Sequence, residues 1–405
     1  MGATLDHQRL YRMPWSLADN AIAWLEPTAK CNIACDGCYR ANRDQHKSLE
    51  QVSSDLDVLA ANRTFDAVAI AGGEPLIHPN IVDIVRMIAD RGWKPVINTN
   101  GVELTEDVLR ELKRAGLAGL TLHVDSGQSR PGWEGRTELE LNELRLHFAR
   151  LVAEVGGVTC AFNATVYRET LDQVPDVMQW CQQHIDLVHV MVFILFREFA
   201  LDDRFEHYVG GRRADVAPLV YVSQDKSRRS DVTALDVVAK IRERWPEFEP
   251  CAYLNGTERP GSLKWLVASR LGTRRRVYGY IGPKGFELGQ VFHHLFTGRY
   301  LAYSRPASLR RAKWALGLWP IDRGVRHALR RVLFDPRAWF RRLHMQSITI
   351  IQPIDVLPDG RQDMCDACPD ITVHEGELVW SCRLEECIHF GQFVRTVPRT
   401  PPARQ

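Results

Sequence analysis

The stretch "EPTAKCNIACDGCYRANRD", residues 26–44, places Cys31, Cys35 and Cys38 in a CxxxCxxC spacing on one short segment. Thiolate is a soft ligand that suits zinc and iron–sulfur clusters, so three thiols this close together indicate a metal site. A structural zinc site usually has four protein ligands. His46 is the candidate for a fourth ligand, and zinc is therefore the simpler alternative to a cluster with one open iron.

From residue 21 to about 196, short apolar runs alternate with segments of helical periodicity, beginning with "AIAWLEP" at residues 21–27. This alternation predicts strands that alternate with helices, and therefore a parallel sheet that is either open or partly closed into a barrel. Reactive loops in such folds lie at the carboxyl ends of the strands. The cysteine loop follows the first predicted strand, so we expect it at that edge.

Polar and glycine-containing turns follow the next predicted strands. The motif "AGGEP" (71–75) ends the second strand, "INTNG" (97–101) the third and "LHVDSG" (122–127) the fourth. Glycine lets a backbone approach a ligand without a side chain in the way. We expect these turns to meet the cysteine loop at one edge of the sheet.

The CxxxCxxC loop after the first strand and the GGEP turn after the second together resemble the radical S-adenosylmethionine (radical SAM) superfamily. The resemblance implies an α/β fold with a partial (β/α)6 TIM-like barrel. It also implies a [4Fe–4S] cluster on Cys31, Cys35 and Cys38, with one iron left for S-adenosylmethionine. An electron from a donor such as flavodoxin or ferredoxin would cleave S-adenosylmethionine, and the 5′-deoxyadenosyl radical would abstract hydrogen from a substrate or add to it.

By the same resemblance, the turns after the strands contact S-adenosylmethionine. The residues implied are Gly72, Gly73, Glu74, Pro75, Asn98, Asn100, Asp125 and Ser126. One position departs from the family, since most members carry an aromatic residue just before the third cysteine and this chain has Gly37. The sequence assigns no catalytic side chain.

A second cysteine set lies near the carboxyl end, with a CxxC and a CxxxxC pair separated by thirteen residues. Four thiols predict a closed metal site, which is either a second [4Fe–4S] cluster or zinc. The set is distantly similar to the auxiliary clusters of SPASM and twitch extensions, although its spacing differs from SPASM. Its members are Cys365, Cys368, Cys382 and Cys387, while Cys160, Cys181 and Cys251 are expected in the core.

The bulk composition predicts a folded protein, since 405 residues with 45% hydrophobic content can bury a large core. The 52 basic and 50 acidic residues nearly cancel, which does not favour nucleic acid as a partner. The predicted organisation is a lead-in at 1–20, a core barrel at 21–198, an α-rich extension at 199–345, a small cysteine-cluster region at 346–395 and a disordered tail at 396–405.

Residues 299–345 form a basic block that carries twelve Lys or Arg against Asp322 and Asp335, with tryptophans interleaved. Three interpretations stay open: a solvated helical cap, an interfacial helix on an anionic membrane surface, or a phosphate-binding surface for a nucleotide or RNA. No signal peptide or run of about 18 apolar residues is evident. The sequence therefore predicts a cytoplasmic protein without a transmembrane span, peripheral to the membrane under the second interpretation.

The membrane interpretation suggests a lipid or isoprenoid substrate, with the apolar run 277–296 lining its channel. One alternative is a radical SAM maturase of a ribosomally made peptide, which the second cysteine set favours. A different class, a non-catalytic iron–sulfur scaffold or electron carrier, has no need for an open iron or a GGEP turn.

Overall fold

A computed structural model describes residues 5–200, 204–223 and 231–399, apart from the side chains of residues 199, 200 and 223. Its centre is one large, mostly parallel sheet with helices on the outer face. The strands are β1 (Tyr11–Arg12), β2 (Ile22–Thr28), β3 (Ala67–Gly72), β4 (Lys94–Thr99), β5 (Gly119–His123), β6 (Thr159–Val166), β7 (Val190–Leu195), β8 (Phe199–Ala200), β9 (Phe205–Val209), β10 (Arg212–Arg213), β11 (Val222–Ser223), β12 (Ala252–Asn255), β13 (Leu263–Gly272), β14 (Val277–Ile281), β15 (His344–Ile351), β16 (Asp355–Val356), β17 (Gln362–Asp363), β18 (Ile371–His374), β19 (Glu377–Trp380) and β20 (Arg395–Pro398).

The described helices lie mainly between the strands, and none of them is long and apolar enough to cross a bilayer. They are α1 (Leu49–Asn62), α2 (Ile81–Asp90), α3 (Glu106–Arg114), α4 (Asn142–Val155), α5 (Val174–Gln183), α6 (Ala234–Arg244), α7 (Pro283–Thr297), α8 (Pro306–Leu309), α9 (Arg323–Leu333), α10 (Pro336–Phe340) and α11 (Leu384–Phe390). Side-chain capping fixes where several of these helices begin. Ser48 and Gln51 form a capping box at α1, and the Thr105 side chain accepts from the Val108 amide at α3.

The predicted partial barrel is confirmed, since β2 to β7 pair in chain order and every pair is parallel. The sheet continues from β7 through β15, β13 and β12 to β1, and β14 pairs with β13. Within the described residues β1 and β2 remain its two edges, so the barrel does not close. All six carboxyl ends of the parallel core strands therefore meet along one rim.

The α-rich character predicted for 199–345 was only partly right, because β12, β13 and β14 come from this region and extend the sheet. The missed β13 reads "LKWLVASRLG" and is buried almost throughout. Its polar residues interrupt the apolar pattern of the strand, yet Lys264 and Arg270 both have partners inside the protein. The Lys264 ammonium lies 2.6 Å from Asp355, and the Arg270 guanidinium donates to the Gln346 side chain at 2.9 Å.

Two predicted boundaries also differ from the structure. Strand β15 falls inside the region predicted as 346–395, but it pairs parallel with β7 and so belongs to the central sheet. The predicted disordered tail began at 396, whereas β20 pairs antiparallel with β9. The rest of that tail, 400–405, lies outside the described residues.

The two faces of the barrel strands differ in side-chain size. Outward residues such as Leu25, Ile70 and Phe162 are buried against the helices. Inward residues alternate with them at the period of two that a strand requires, and many are small, among them Ala69 and Ala161. Branched side chains usually fill a TIM barrel in layers. Here the interior instead holds a cavity of about 1150 Å³.

We predict that Arg270→Met destabilises the protein by about 2–3 kcal/mol, because the buried Gln346 side-chain oxygen loses its donors. Arg270 also donates to the Met178 carbonyl at 3.1 Å and so joins β13 to α5. Urea unfolding of the two proteins measures the difference. The control is Arg274→Met, which removes an exposed pair with Asp186 and should cost less than about 1 kcal/mol. Equal losses of unfolding free energy in the two variants would contradict the prediction.

Candidate active site

The cysteine loop follows β2, and its three thiols line the cavity. Amide nitrogens approach two of them: Asn100 Nδ2 lies 3.9 Å from the Cys31 sulfur, and Gln128 Nε2 lies 3.7 Å from the Cys35 sulfur. Burial raises the pKa of Cys35, and the nearby Asp125 and the other two thiols raise it further. Burial also raises the pKa of Cys31 and Cys38, so the three groups are neutral thiols, and a metal that binds them as thiolates would release their protons.

His46 does not complete the set as a fourth ligand. Its ring packs edge-on against His78, with the ring centroids 5.2 Å apart, and it is not among the residues that line the cavity. The thiol triad is therefore open on its cavity side. Three thiols and an open side fit a [4Fe–4S] cluster with one free iron better than a closed zinc site.

The glycine turn after β3 packs directly on the start of the cysteine loop. The Gly73 amide donates to the Thr28 carbonyl and the Glu74 amide to the Lys30 carbonyl, each at 2.8 Å. A Cβ on Gly73 would lie 2.0 Å from the Lys30 oxygen. Gly72 also has a positive φ of 100°, which glycine adopts readily. Glycine is therefore required at Gly73 because the backbone there packs closely against the cysteine loop.

Glu74 ties this turn to the end of β4. Its carboxylate accepts from the Thr99 hydroxyl at 2.5 Å, the Asn100 amide at 2.7 Å and the Leu76 amide at 3.0 Å. Burial raises the pKa of Glu74, although these hydrogen bonds oppose the change. The Asn100 side chain continues the connection by donating to Asn32 in the cysteine loop at 2.7 Å.

The predicted cofactor-binding residues divide into two groups. The structure brings Gly72, Gly73, Glu74, Asn98 and Asn100 to the cavity wall, but not Pro75, Asp125 and Ser126.

Asp125 instead binds its neighbours, since its Oδ2 lies 2.7 Å from His123 Nε2 and accepts from the Thr165 amide at 3.0 Å. Burial raises the pKa of Asp125, but His123 and the hydrogen bonds from Thr165 outweigh it and lower that pKa to about 2. His123 is the member of this pair that faces the cavity.

Two asparagines in the cavity wall have unsatisfied polar atoms. The Nδ2 atom of Asn98 and the Oδ1 atom of Asn163 are buried without a hydrogen-bond partner among the described residues. Such atoms cost free energy unless a ligand or water pairs with them. Asn163 lies on β6, and the period-two pattern of that strand is consistent with its place in the cavity wall.

An aromatic ring does lie beside the position where the family usually has one. A Cβ on Gly37 would lie 2.6 Å from the Phe196 ring, so Gly37 leaves the room that this ring fills. Phe196 follows β7, and its ring centroid is 5.1 Å from that of Tyr167. Sequence reasoning missed Phe196 because it is distant in the chain from the cysteine loop.

Three of the four thiols of the second cysteine set line the cavity, and the fourth does not. Cys365, Cys368 and Cys382 line the same cavity as the first triad, and the Cys365 thiol raises the pKa of Cys368 through a hydrogen bond. Cys387 does not line the cavity and packs with Val379 and Leu384 in an apolar cluster. Cys382 lies in a short 3-10 helix (Ser381–Arg383), whereas Cys387 lies in α11. A metal site that uses all four thiols stays a prediction.

A buried ionic network connects the first cysteine loop to α11, the helix that carries Cys387. Arg40 lies 2.8 Å from Glu26 on β2 and 2.8 Å from Glu385 on α11. Glu385 also accepts from the Ala41 amide at 3.1 Å and pairs with Arg43. The two cysteine sites are thereby held at fixed positions on one cavity.

Comparison with known proteins agrees with this geometry. The model of the radical SAM superfamily matches residues 25–181. These residues form a radical SAM domain. The superfamily uses a [4Fe–4S] cluster and S-adenosylmethionine, and the open triad with the unpaired amide atoms of Asn98 and Asn163 fits both.

Among curated relatives of this domain is "Probable GTP 3′,8-cyclase" of Methanocaldococcus jannaschii, 24% identical over 42% of this chain and 58% of the relative. Another is "AdoMet-dependent heme synthase" of Methanosarcina barkeri, 27% identical over 44% of this chain and 51% of the relative. The chain thus spans little more than half the length of these two relatives.

Solved structures with a similar fold include SuiB of Streptococcus suis bound to S-adenosylmethionine, with a TM-score of 0.40 at 16% identity. That match covers 57% of this chain and 48% of SuiB. A second is anSMEcpe with bound AdoMet, with a TM-score of 0.36 at 14% identity, covering 46% of this chain and 54% of that one.

We predict that Cys387→Ala leaves the iron content unchanged after anaerobic reconstitution, whereas Cys382→Ala lowers it by the iron of one site. The reason is that Cys382 faces the cavity and Cys387 is packed in an apolar cluster. Iron analysis and the visible absorption of the reconstituted proteins measure the difference. An equal loss of iron in both variants would show that Cys387 is a ligand after all.

Proposed function

We propose that the chain is a radical SAM enzyme that acts on a lipid or isoprenoid. The observation that carries the proposal is the open thiol triad on a large cavity that is also lined by many small and apolar side chains. We assign residues 21–198, with β13 and β15, to the catalytic unit.

When bound, the cluster and S-adenosylmethionine supply one-electron cleavage of S-adenosylmethionine to methionine and a 5′-deoxyadenosyl radical, which takes hydrogen from a substrate or adds to it. A donor such as a reduced flavodoxin or ferredoxin would provide the electron. The chain's own contribution is to hold the three thiols in place through the turn at Gly73 and the carboxylate of Glu74. It also surrounds the reacting groups with protein walls that limit the access of water.

Three cavity residues are suited to bind S-adenosylmethionine. Asn98 and Asn163 have free polar atoms for its amino acid or ribose groups. Phe196 offers a ring face to adenine beside the cysteine loop, which is the role that the resemblance gives to an aromatic residue at position 37. Base–aromatic stacking of this kind is worth about 1–3 kcal/mol.

A second metal site is proposed at Cys365, Cys368 and Cys382. An open set of three thiols favours a [4Fe–4S] cluster over closed four-ligand zinc. Because this set borders the same cavity, its open side faces the volume in which the substrate would lie. Arg383 and Glu386 line the cavity close to it and could bind a polar end of that substrate.

The lipid class follows from the size and lining of the cavity. A volume of about 1150 Å³ exceeds the roughly 300–1,000 Å³ of ordinary small-molecule pockets. The thiols and amides lie at one end, whereas the other end is lined by apolar side chains that include Ile281, Leu309, Leu318 and Met345. A substrate with a polar head and a long apolar tail matches this division.

We predict that the reduced, reconstituted protein converts S-adenosylmethionine to 5′-deoxyadenosine, and that Cys35→Ala abolishes the product. Chromatography of the products after dithionite reduction measures it. The matched control is Cys387→Ala, which should keep the activity because this thiol does not line the cavity. An iron-loaded parent protein that forms no 5′-deoxyadenosine would favour the non-catalytic alternative.

We also predict that Phe196→Ala weakens S-adenosylmethionine binding about tenfold, which corresponds to about 1.4 kcal/mol of lost stacking. Isothermal titration calorimetry of the reconstituted, unreduced protein measures the affinity without any turnover. The control is Phe334→Ala, which removes a ring that is 89% exposed and should leave the affinity unchanged. An unaltered affinity in Phe196→Ala would exclude this ring as the adenine wall.

A further inference from the structure

The helical block at 283–340 exposes many large apolar side chains. Phe334 and Phe340 are 89% and 90% exposed, and Phe296 is 77% exposed. Single exposed apolar residues are normal, but a concentration of them in one block usually marks an interaction site. The exposed set is Val291, Phe292, Leu295, Phe296, Trp314, Trp319, Ile321, Leu333, Phe334, Trp339 and Phe340.

The same block is cationic at its surface. Residues 299–345, which overlap it, have two acidic residues, and the fold uses both: Asp322 is buried and accepts from the amides of Gly282 and Gly285, while Asp335 accepts from the Tyr278 hydroxyl. Within the part of the chain that the structure describes, Arg331 alone among the twelve cations of 299–345 forms an ion pair, at 3.4 Å to Glu247. The positive charge is therefore left for a partner.

Cations and rings lie next to each other in this block. A groove of about 320 Å³ is lined by Arg311, Lys313, Phe340, Arg341, Arg342 and Leu343. The Lys313 ammonium donates to the Trp339 carbonyl at 2.7 Å, and the Trp339 indole donates to the Val332 carbonyl at 3.1 Å. The exposed indole of Trp339 thus presents carbon rather than an unpaired N–H. Arginine beside aromatic rings is typical of surfaces that lie at the lipid headgroups.

The block covers the amino ends of the barrel strands, opposite the cysteine loop. Lys94, the first residue of β4, donates to the Tyr303 carbonyl at 3.1 Å. Thr159, the first residue of β6, donates to the Ser304 carbonyl at 3.4 Å. The Ala302 amide donates at 3.1 Å to Asp66, which directly precedes β3.

The cavity reaches the protein surface within this block. Phe292 and Trp314 both line the cavity, and they are also 49% and 55% exposed, so they lie where it meets the surface. The first triad lines the same cavity at the carboxyl ends of the strands. A strand of seven residues spans about 23 Å, so the cavity is long enough to hold an extended chain of a lipid.

We propose that this aromatic and cationic face docks on an anionic membrane, and that the opening between Phe292 and Trp314 admits the apolar part of the substrate to the barrel. The route into the barrel rests on the proposed function, whereas the docking does not. An RNA would use the cations but leave Leu295 and Leu333 in water. A second copy of the chain would bring two cationic faces together, which costs free energy.

Flotation with two vesicle types tests the docking. The full chain should bind vesicles of phosphatidylglycerol and phosphatidylcholine in equal parts at least about tenfold better than vesicles of phosphatidylcholine alone. Raising potassium chloride from about 0.1 M to about 0.5 M should weaken the binding, because salt screens the attraction to anionic lipid. Equal binding to both vesicles, or binding to neither, would overturn the proposal.

Variants at the surface test whether this face is the part of the protein that binds the vesicles. Phe334→Ser with Phe340→Ser, and separately Arg341→Gln with Arg342→Gln, should each lower binding about tenfold. The matched controls are Leu139→Ser and Arg150→Gln, which change an exposed apolar residue and an exposed cation elsewhere on the protein. Loss of binding in the controls, or retention in both double variants, would contradict the assignment. Self-association of the parent through this face without vesicle binding would assign the face to a second copy instead.

The opening is tested with the fluorescent fatty acid cis-parinaric acid. Gly289 lines the cavity, and a side chain there meets no atom within 4 Å of its Cβ, so Gly289→Trp should fold and narrow the opening. We expect at least about fivefold weaker probe binding, with Gly317→Trp on the outer surface as the control. Unchanged probe binding would overturn the route. The proposed function is tested separately, by measuring whether the protein forms 5′-deoxyadenosine in the absence of vesicles.

Discussion

A buried ionic network is the constraint on which the rest of the site depends. Arg40 contacts Glu26 on β2 and Glu385 on α11, so it fixes the cysteine loop between the first barrel strand and the carboxyl-terminal region. Burying charges is costly unless they are paired, and here Arg40 is paired with both carboxylates. The network thus joins β2, the cysteine loop and α11 beside the cavity that Cys31, Cys35, Cys38, Cys365, Cys368 and Cys382 line.

The second constraint is the size of the inward side chains. Small residues such as Ala69 and Ala161 face the interior where a TIM barrel usually has branched ones, so the barrel encloses a volume that passes from the thiols toward Phe292 and Trp314. The polar groups gather at the thiol end and the apolar groups at the other. This division connects the proposed chemistry to the proposed membrane face, since a lipid would enter with its tail in the apolar half.

Much of this could be predicted from the sequence. The strand–helix alternation and the CxxxCxxC and GGEP motifs are local signals, so they predicted the parallel core and the position of the first triad. Strand β13 was missed because Lys264 and Arg270 interrupt its apolar pattern and are satisfied only by distant partners. Spacing along the chain did not predict that Cys387 packs away from the cavity, because spacing does not give the direction of a side chain. Phe196 needed the tertiary fold, since nothing local connects it to Gly37.

We propose that two open three-thiol sites share one cavity. An anaerobic crystal structure of the reconstituted protein, with anomalous scattering measured at the iron edge, tests it most directly. The claim predicts two iron clusters on the wall of one cavity, held by Cys31, Cys35 and Cys38 and by Cys365, Cys368 and Cys382. A second cluster ligated by Cys387, or clusters separated by a continuous protein wall, would contradict it.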